Sequence, residues 1–179
     1  MILQNRLHLN FWGLLSHYAL PLIFIGLAAM SLFSYIKYLN GTYSGRPIND
    51  ILRTGSIFLL LAFLGIVIQN RRLKFNKTSN NLTSQEIAIA IKKSAKERKW
   101  ILKNSESGFY QFYTIGGFST GSWGELITII VDNKVLYFNS ICDPYNRPSV
   151  ASFGQNKKHR KELFKNLEEK PAPNTQYSQ

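Results

Sequence analysis

Two uncharged apolar runs, Tyr18 to Ile36 and Thr54 to Asn70, lie near the amino terminus on either side of a short polar loop, and the chain after them is polar and rich in lysine. At about 1.5 Å of rise per helical residue, the nineteen residues of the first run reach roughly 28 Å, the hydrocarbon thickness of a bilayer. The second run is extended by Ile51 and Leu52, and Arg53 can snorkel to the surface. The pattern predicts two membrane spans, residues 17–39 and 51–70, within an amino-terminal segment ending at residue 72. Trp12 and Tyr18 border the first span at one end, and Tyr35, Tyr38 and Tyr43 gather at the other, as amphipathic rings do at interfaces. Asn40-Gly41 and Ser44-Gly45-Arg46-Pro47 supply turn chemistry between the spans, and Asn49 or Asp50 is placed to cap the second helix. The first run exceeds the core of a cleavable signal peptide, so both spans are expected to be retained.

From Leu73 to Thr83 the chain is polar and rich in Asn, and it reads as a linker. Thr83 and Glu86 then have capping-box spacing, which predicts a helix from about Ser84 to Arg98 with Ile87, Ala88, Ile91 and Ala95 inward. Four strands follow in the pattern: Trp100 to Lys103, Phe109 to Ile115, Glu125 to Val131 and Lys134 to Ile141. The last two are joined at Asp132-Asn133, a pair that tolerates a tight hairpin. Glu125 to Val131 is apolar on both faces, as a central strand is. A final helix is expected from near Phe153, capped by Ser152 with Gln155, with Leu163, Phe164 and Leu167 packing inward, and Pro171 and Pro173 end it. The fold class is therefore α+β: a two-helix transmembrane hairpin, then a small α-β-β-β-β-α domain over residues 84–170 with an antiparallel sheet. Residues 171–179 are expected to form a disordered tail.

Charge adds direction to this layout. Of the 22 Lys and Arg, 18 lie from Arg71 onward, against nine of the ten acids, so that part of the chain carries +9. The mean hydropathy of −0.12 averages the apolar first third with this polar remainder. Arg71, Arg72, Lys74 and Lys77 follow the second span and share a side with Arg6 and the terminal amine. Lys37, Arg46 and Arg53 lie on the loop side. The excess predicts both termini and the domain in the cytoplasm. Lys92, Lys93, Lys96 and Lys99 on the first domain helix, with Lys157, Lys158, Arg160 and Lys161 on the last, form a candidate basic contact face. Its partner would be an anionic lipid surface or a membrane protein.

The remaining chemistry is sparse. Gly116 to Gly124 is glycine-rich but leads into a strand and lacks the lysine of a phosphate loop, so it reads as an inter-strand connection in which Phe118 and Trp123 are a candidate partner contact. The rings of Phe109, Tyr110, Phe112 and Tyr113 depart from the spacing of an RNA-recognition strand, which leaves nucleic-acid binding resting on charge alone. Neither span has an interior Asp, Glu, Lys or Arg to carry ions. The single cysteine, Cys142, allows no internal disulfide. Scattered carboxylates and the lack of a metal or nucleophile motif predict no cofactor, no metal and no catalytic residue.

The stretch from Asn139-Ser140-Ile141-Cys142-Asp143-Pro144 through Ser152-Phe153-Gly154-Gln155-Asn156-Lys157-Lys158 resembles the end of uncharacterised small bacterial two-span membrane proteins with a C-terminal α+β domain. The hairpin-then-domain layout is also similar to bacterial pleckstrin-homology-like membrane proteins. The resemblance implies a bacterial inner or plasma membrane and no particular activity. The expected function is a membrane-anchored, non-catalytic module whose basic cytoplasmic domain binds a protein partner or an anionic membrane surface. Two other classes stay open: an immunity protein acting against a toxin at the membrane, and a membrane enzyme using Asp143, His159 or Cys142.

Overall fold

A computed structural model describes residues 5–79, 81–117, 123–146, 152 and 154–169. The chain forms two compact units, one of residues 9–71 and one of the residues from Arg72 onward together with the short stretch before Leu9. The fold class is the α+β one expected, a pair of long apolar helices and a small antiparallel-sheet domain. The expected tail, 171–179, lies outside the described residues.

In the first unit a short helix, α1 (Phe11–His17), is capped by Asn10, whose Oδ1 accepts from the Gly13 amide at 2.8 Å. It runs through Tyr18 into α2 (Ala19–Leu39), and α3 (Ile48–Arg72) returns antiparallel. Asn49 and Asp50 lie inside the first turn of α3, where Asp50 complements the helix dipole. Pro21, Phe24, Ala28 and Ser31 are among the covered positions of α2, and Ile51, Gly55, Phe58, Ala62, Gly65 and Gln69 among those of α3. Steps of three and four residues keep such positions on one helical stripe. The seam is narrow because it is built from small residues: a Cβ on Gly55 would lie 2.9 Å from Ser31 Cβ, and one on Gly65 would lie 2.9 Å from Pro21 Cγ. Ala28 lies in this seam, while Gly26 faces open space.

One end of the seam is closed by polar groups. Pro21 has no amide to offer the carbonyl four residues earlier, at His17, so that oxygen lacks its helical donor. Gln69 Nε2 donates to it at 2.8 Å. In return the His17 ring donates from Nε2 to the Gln69 carbonyl, in the last turn of α3, at 3.2 Å. Tyr18 donates to Asn70 Oδ1 at 2.9 Å beside them.

In the second unit a five-stranded antiparallel sheet has the order β1-β5-β4-β3-β2, from β1 (Asn76–Ser79), β2 (Ile101–Glu106), β3 (Phe109–Tyr113), β4 (Glu125–Asp132) and β5 (Val135–Cys142). As its two apolar faces predicted, β4 is central. The hairpin to β5 pairs Asp132 with Val135, so its loop is Asn133-Lys134, one residue later than the sequence suggested, with Asn133 at φ 53°.

The fifth strand, β1, falls in the segment read as a linker. It pairs with β5 from Asn76 opposite Phe138 to Ser79 opposite Val135, and Leu73 and Phe75 just before it are buried. An edge strand made of Asn, Lys, Thr and Ser has no apolar alternation to announce it, and polar edges are how sheets avoid unwanted pairing. Residues 5–7 pair with 73–75 as well, through an Arg6–Lys74 bridge and a Leu7 N–H bond to the Leu73 carbonyl of 2.8 Å.

Two helices cover one sheet face, α4 (Ser84–Glu97) and α5 (Gln155–Glu168). The Thr83–Glu86 capping box is formed on α4. The α5 helix begins at Gln155 with Gly154 as its N-cap, so the Ser152 cap does not form, and Phe153 lies outside the described residues. The contacts Lys93–Glu169, Ser94–Asn166 and Arg98–Gln155 make the two helices antiparallel. The core is Ile87, Ala90, Ile91, Trp100, Phe112, Ile127, Ile129, Leu136, Phe138, Leu163 and Leu167. At about 1.5 to 3 kcal/mol for each large side chain removed from water, this layer is the main source of the domain's stability.

The Pro21–Gln69 pairing yields a non-additive outcome. Gln69→Leu orphans the His17 carbonyl and costs about 1 to 3 kcal/mol, whereas in a Pro21→Ala background the restored amide removes most of that cost. An SDS titration of the solubilised full chain, run as a double-mutant cycle, measures the difference. Equal losses in both backgrounds would refute the assignment.

Candidate functional site

The residues that converge in the domain do so where α4 ends and α5 begins. The α4 helix is closed by a Schellman turn, with Trp100 N–H reaching the Ala95 carbonyl at 2.8 Å, and Lys99 sits in the left-handed region at φ 53°. That position is commonly glycine, because a side chain there costs about 1 kcal/mol. The turn aims Trp100 into the core, and its indole N–H donates to His159 Nδ1 at 2.9 Å.

An indole N–H can only donate, so Nδ1 carries no proton and the His159 ring is the Nε2–H tautomer. Nε2 faces Glu125 Oε2 at 3.4 Å, which makes this contact a hydrogen bond from a neutral ring and not an ion pair. Thr114 completes the set. Its hydroxyl donates to Glu125 Oε2 at 2.5 Å and accepts from the Glu125 amide at 2.8 Å, while the Thr114 amide donates to the Glu125 carbonyl at 2.9 Å. All four residues are buried. Gly124 lets the backbones approach this closely: its φ is 108°, and a Cβ would fall 2.6 Å from the Thr114 carbonyl oxygen.

Over this floor lies a cleft of about 590 Å³. Glu97, Arg98 and Lys99 form one wall and Gln155 and Lys158 the other, with Ile101 and Ile115 at the side. Arg98 Nη2 donates to Gln155 Oε1 at 3.1 Å, while its buried Nε has no hydrogen-bond partner among the described residues. Glu97 is turned to Asn166, whose Nδ2 donates to it at 2.8 Å.

The expected basic face resolves into two groups. Lys92 and Lys96 on α4, Lys99 just past its end, and Lys157, Lys158 and Lys161 on α5 are exposed and form no ion pair among the described residues. Lys93 instead holds Glu169 at 2.7 Å. The hydrogen bond from Lys93 pulls the Glu169 carboxyl below its usual range, and the same bond holds the Lys93 ammonium above its own. Arg160 is drawn to the sheet edge, donating from Nη1 to Asn76 Oδ1 at 2.6 Å. Of the expected partner loop, Trp123 is exposed and Phe118 lies outside the described residues.

The residues considered for catalysis are engaged elsewhere. Both ring nitrogens of His159 are committed, so it has no lone pair to offer a nucleophile. Cys142 is buried, opposite Glu125 in the ladder, and Asp143 Oδ1 accepts from the Tyr145 amide at 3.0 Å. Among the described residues no three of His, Cys, Asp and Glu gather to hold a metal.

Sequence reasoning did not pick out Glu125, Thr114 or Trp100, and it named His159 only as one of three residues an enzyme could use, without a partner for it. The signal for His159 was its helical phase, since His159, Leu163, Asn166 and Leu167 share the buried stripe of α5. For Glu125 it was a lone acid at the head of an apolar strand.

Comparison with protein-family models, curated proteins and solved structures found no match.

Two substitutions separate strain from satisfaction at this site. Lys99→Gly relieves the left-handed backbone and raises domain stability by about 0.5 to 1 kcal/mol. Thr114→Val strips Glu125 of its hydroxyl donor and costs about 1 to 3 kcal/mol. Denaturant unfolding of the full chain, followed by tryptophan fluorescence, reads both, and a destabilised Lys99→Gly variant would contradict the backbone argument.

Proposed function

We propose that this chain is a non-catalytic, membrane-anchored module whose basic domain is held in the cytoplasm beside a bacterial inner membrane, where it engages an anionic surface. The observation that carries the reading is the apolar outside of the helical hairpin. Both α2 and α3 are long and apolar enough to cross a membrane, and only 11% and 17% of their most apolar stretches are covered by protein. A core helix of a soluble protein would be enclosed. Here Met30, Leu32, Phe33, Leu59, Leu60 and Phe63 are each about 60% exposed. Together they make an apolar surface far larger than the patches soluble monomers tolerate.

Orientation follows from the positive charge at the ends of the spans. Arg71 and Arg72 follow the second span, and we count Arg6, bridged to Lys74, with them, against Lys37, Arg46 and Arg53 on the loop side. On the domain, the six unpaired lysines on or beside α4 and α5 supply the attraction, at about 1 kcal/mol for each basic group near an anionic leaflet.

Three outcomes test the reading. The full chain stays in the membrane pellet after alkaline carbonate extraction, and its release to the supernatant would end the anchoring proposal. With Cys142 replaced by alanine, a cysteine at Ser44 reacts with an impermeant reagent from outside intact cells while one at Lys134 does not; the reverse pattern would invert the topology. In reconstituted vesicles, a photocrosslinker at Lys161 captures lipid when anionic lipid is present, and capture falls as salt shortens the Debye length from about 10 Å to about 3 Å. Equal capture from neutral vesicles would overturn the surface contact.

A further inference from the structure

We infer that the cleft between the end of α4 and the start of α5 is a binding site for a phosphate monoester. Its volume of about 590 Å³ is that of a small-molecule pocket. Arg98, Lys99 and Lys158 converge on it, three cations suited to a dianion. The two carboxylates at its border are already occupied, Glu97 by Asn166 and Glu125 by Thr114 and His159. Even with both carboxylates charged, the three cations leave the cleft with a net positive charge.

Two features of the cleft are unfavourable to folding. Arg98 keeps a buried Nε without a partner among the described residues, although its Nη2 is fixed on Gln155, so the guanidinium is oriented but under-bonded. Planar N–H groups of this kind match phosphate oxygens. Lys99 occupies a left-handed position that glycine would hold at less cost, and it lines the cleft there. The start of α5 adds to the field, since its N-cap is glycine and its first turn has no acid, leaving the positive end of the helix dipole uncompensated. Ile101 and Ile115 give the carbon portion of an ester an apolar wall, which a bare inorganic ion would not need.

The inference goes beyond the anchoring proposal and does not depend on it. The same headgroup chemistry occurs on soluble phosphate esters and on phosphatidic acid, and the two sources can be told apart. The full chain in a neutral detergent is titrated with glycerol 3-phosphate by calorimetry, and separately reconstituted in neutral vesicles with and without phosphatidic acid. Saturable binding is expected, weakened about tenfold or more by Lys99→Gly and by Arg98→Gln, as loss of a charge-assisted hydrogen bond implies, and unchanged by Lys92→Gln outside the cleft. Because Lys99→Gly favours the fold, its loss of binding cannot be attributed to unfolding. Binding of glycerol 3-phosphate identifies a soluble source, and binding of phosphatidic acid alone identifies the lipid. Failure of both probes, or equal weakening by Lys92→Gln, would overturn the inference.

Discussion

A polar group taken out of water must find a partner, and most of the specific geometry in this protein follows from meeting that demand. In the hairpin the demand is created by Pro21, which removes one backbone donor, and it is met by a side chain from the other helix. Because Gln69 is 52 residues away in sequence, the repair also sets the register of the two helices, and Gly55 against Ser31 and Gly65 against Pro21 follow from that register. A helix pair with apolar side chains inside and outside gains little specificity from oil alone, so polar closure and small-residue contacts must supply it.

In the domain the same demand is set by Glu125, a buried carboxylate at the head of the central strand. Leaving it unpaired would cost several kcal/mol, and its partners Thr114 and His159 are joined by Trp100, which bonds the His159 ring. Thr114 extends the β3–β4 ladder, His159 fixes the start of α5, and Trp100 fixes the imidazole tautomer from the end of α4. The cleft is shaped as a consequence, since these residues form its floor. The same bonding accounts for why a cysteine, a histidine and a glutamate in one neighbourhood do not form a nucleophile: the imidazole lone pair is taken by the indole.

The sequence made legible whatever depends on local periodicity and local capping. The two helices, the Thr83–Glu86 box and the central place of β4 follow from spacing within one element, whereas on α4 Ile87 and Ile91 are buried as expected but Ala90 and Ser94 take the places given to Ala88 and Ala95. What it hid depends on pairing at a distance. The β1 strand is polar because it is an edge, so its composition is that of a linker until β5 is beside it. Gln69 reads as the polar end of a span until Pro21 creates the vacancy it fills. Glu125 and His159 are separated by 34 residues, and no spacing rule links them. The lysines were visible as a set, but only the fold separates Lys93 and Arg160, held by Glu169 and Asn76, from the six that remain unpaired.

Three of those six lysines are placed against the stability of the domain. Lys157 and Lys158 stand in the first turn of α5, at the positive end of its dipole, where cations lose about 0.3 to 1 kcal/mol each, and Lys99 adds a left-handed residue nearby. Glycine at 99 and an acid at 157 or 158 would all favour the fold. Three unfavourable choices within one neighbourhood, beside an arginine with an unpaired buried nitrogen, concentrate positive field at one end of the helix pair instead of spreading it over the surface. A uniform basic coat would need none of this placement, because any exposed lysine serves diffuse attraction equally well. Local strain together with local charge therefore marks the junction of α4 and α5 as the part of the domain shaped by something other than folding.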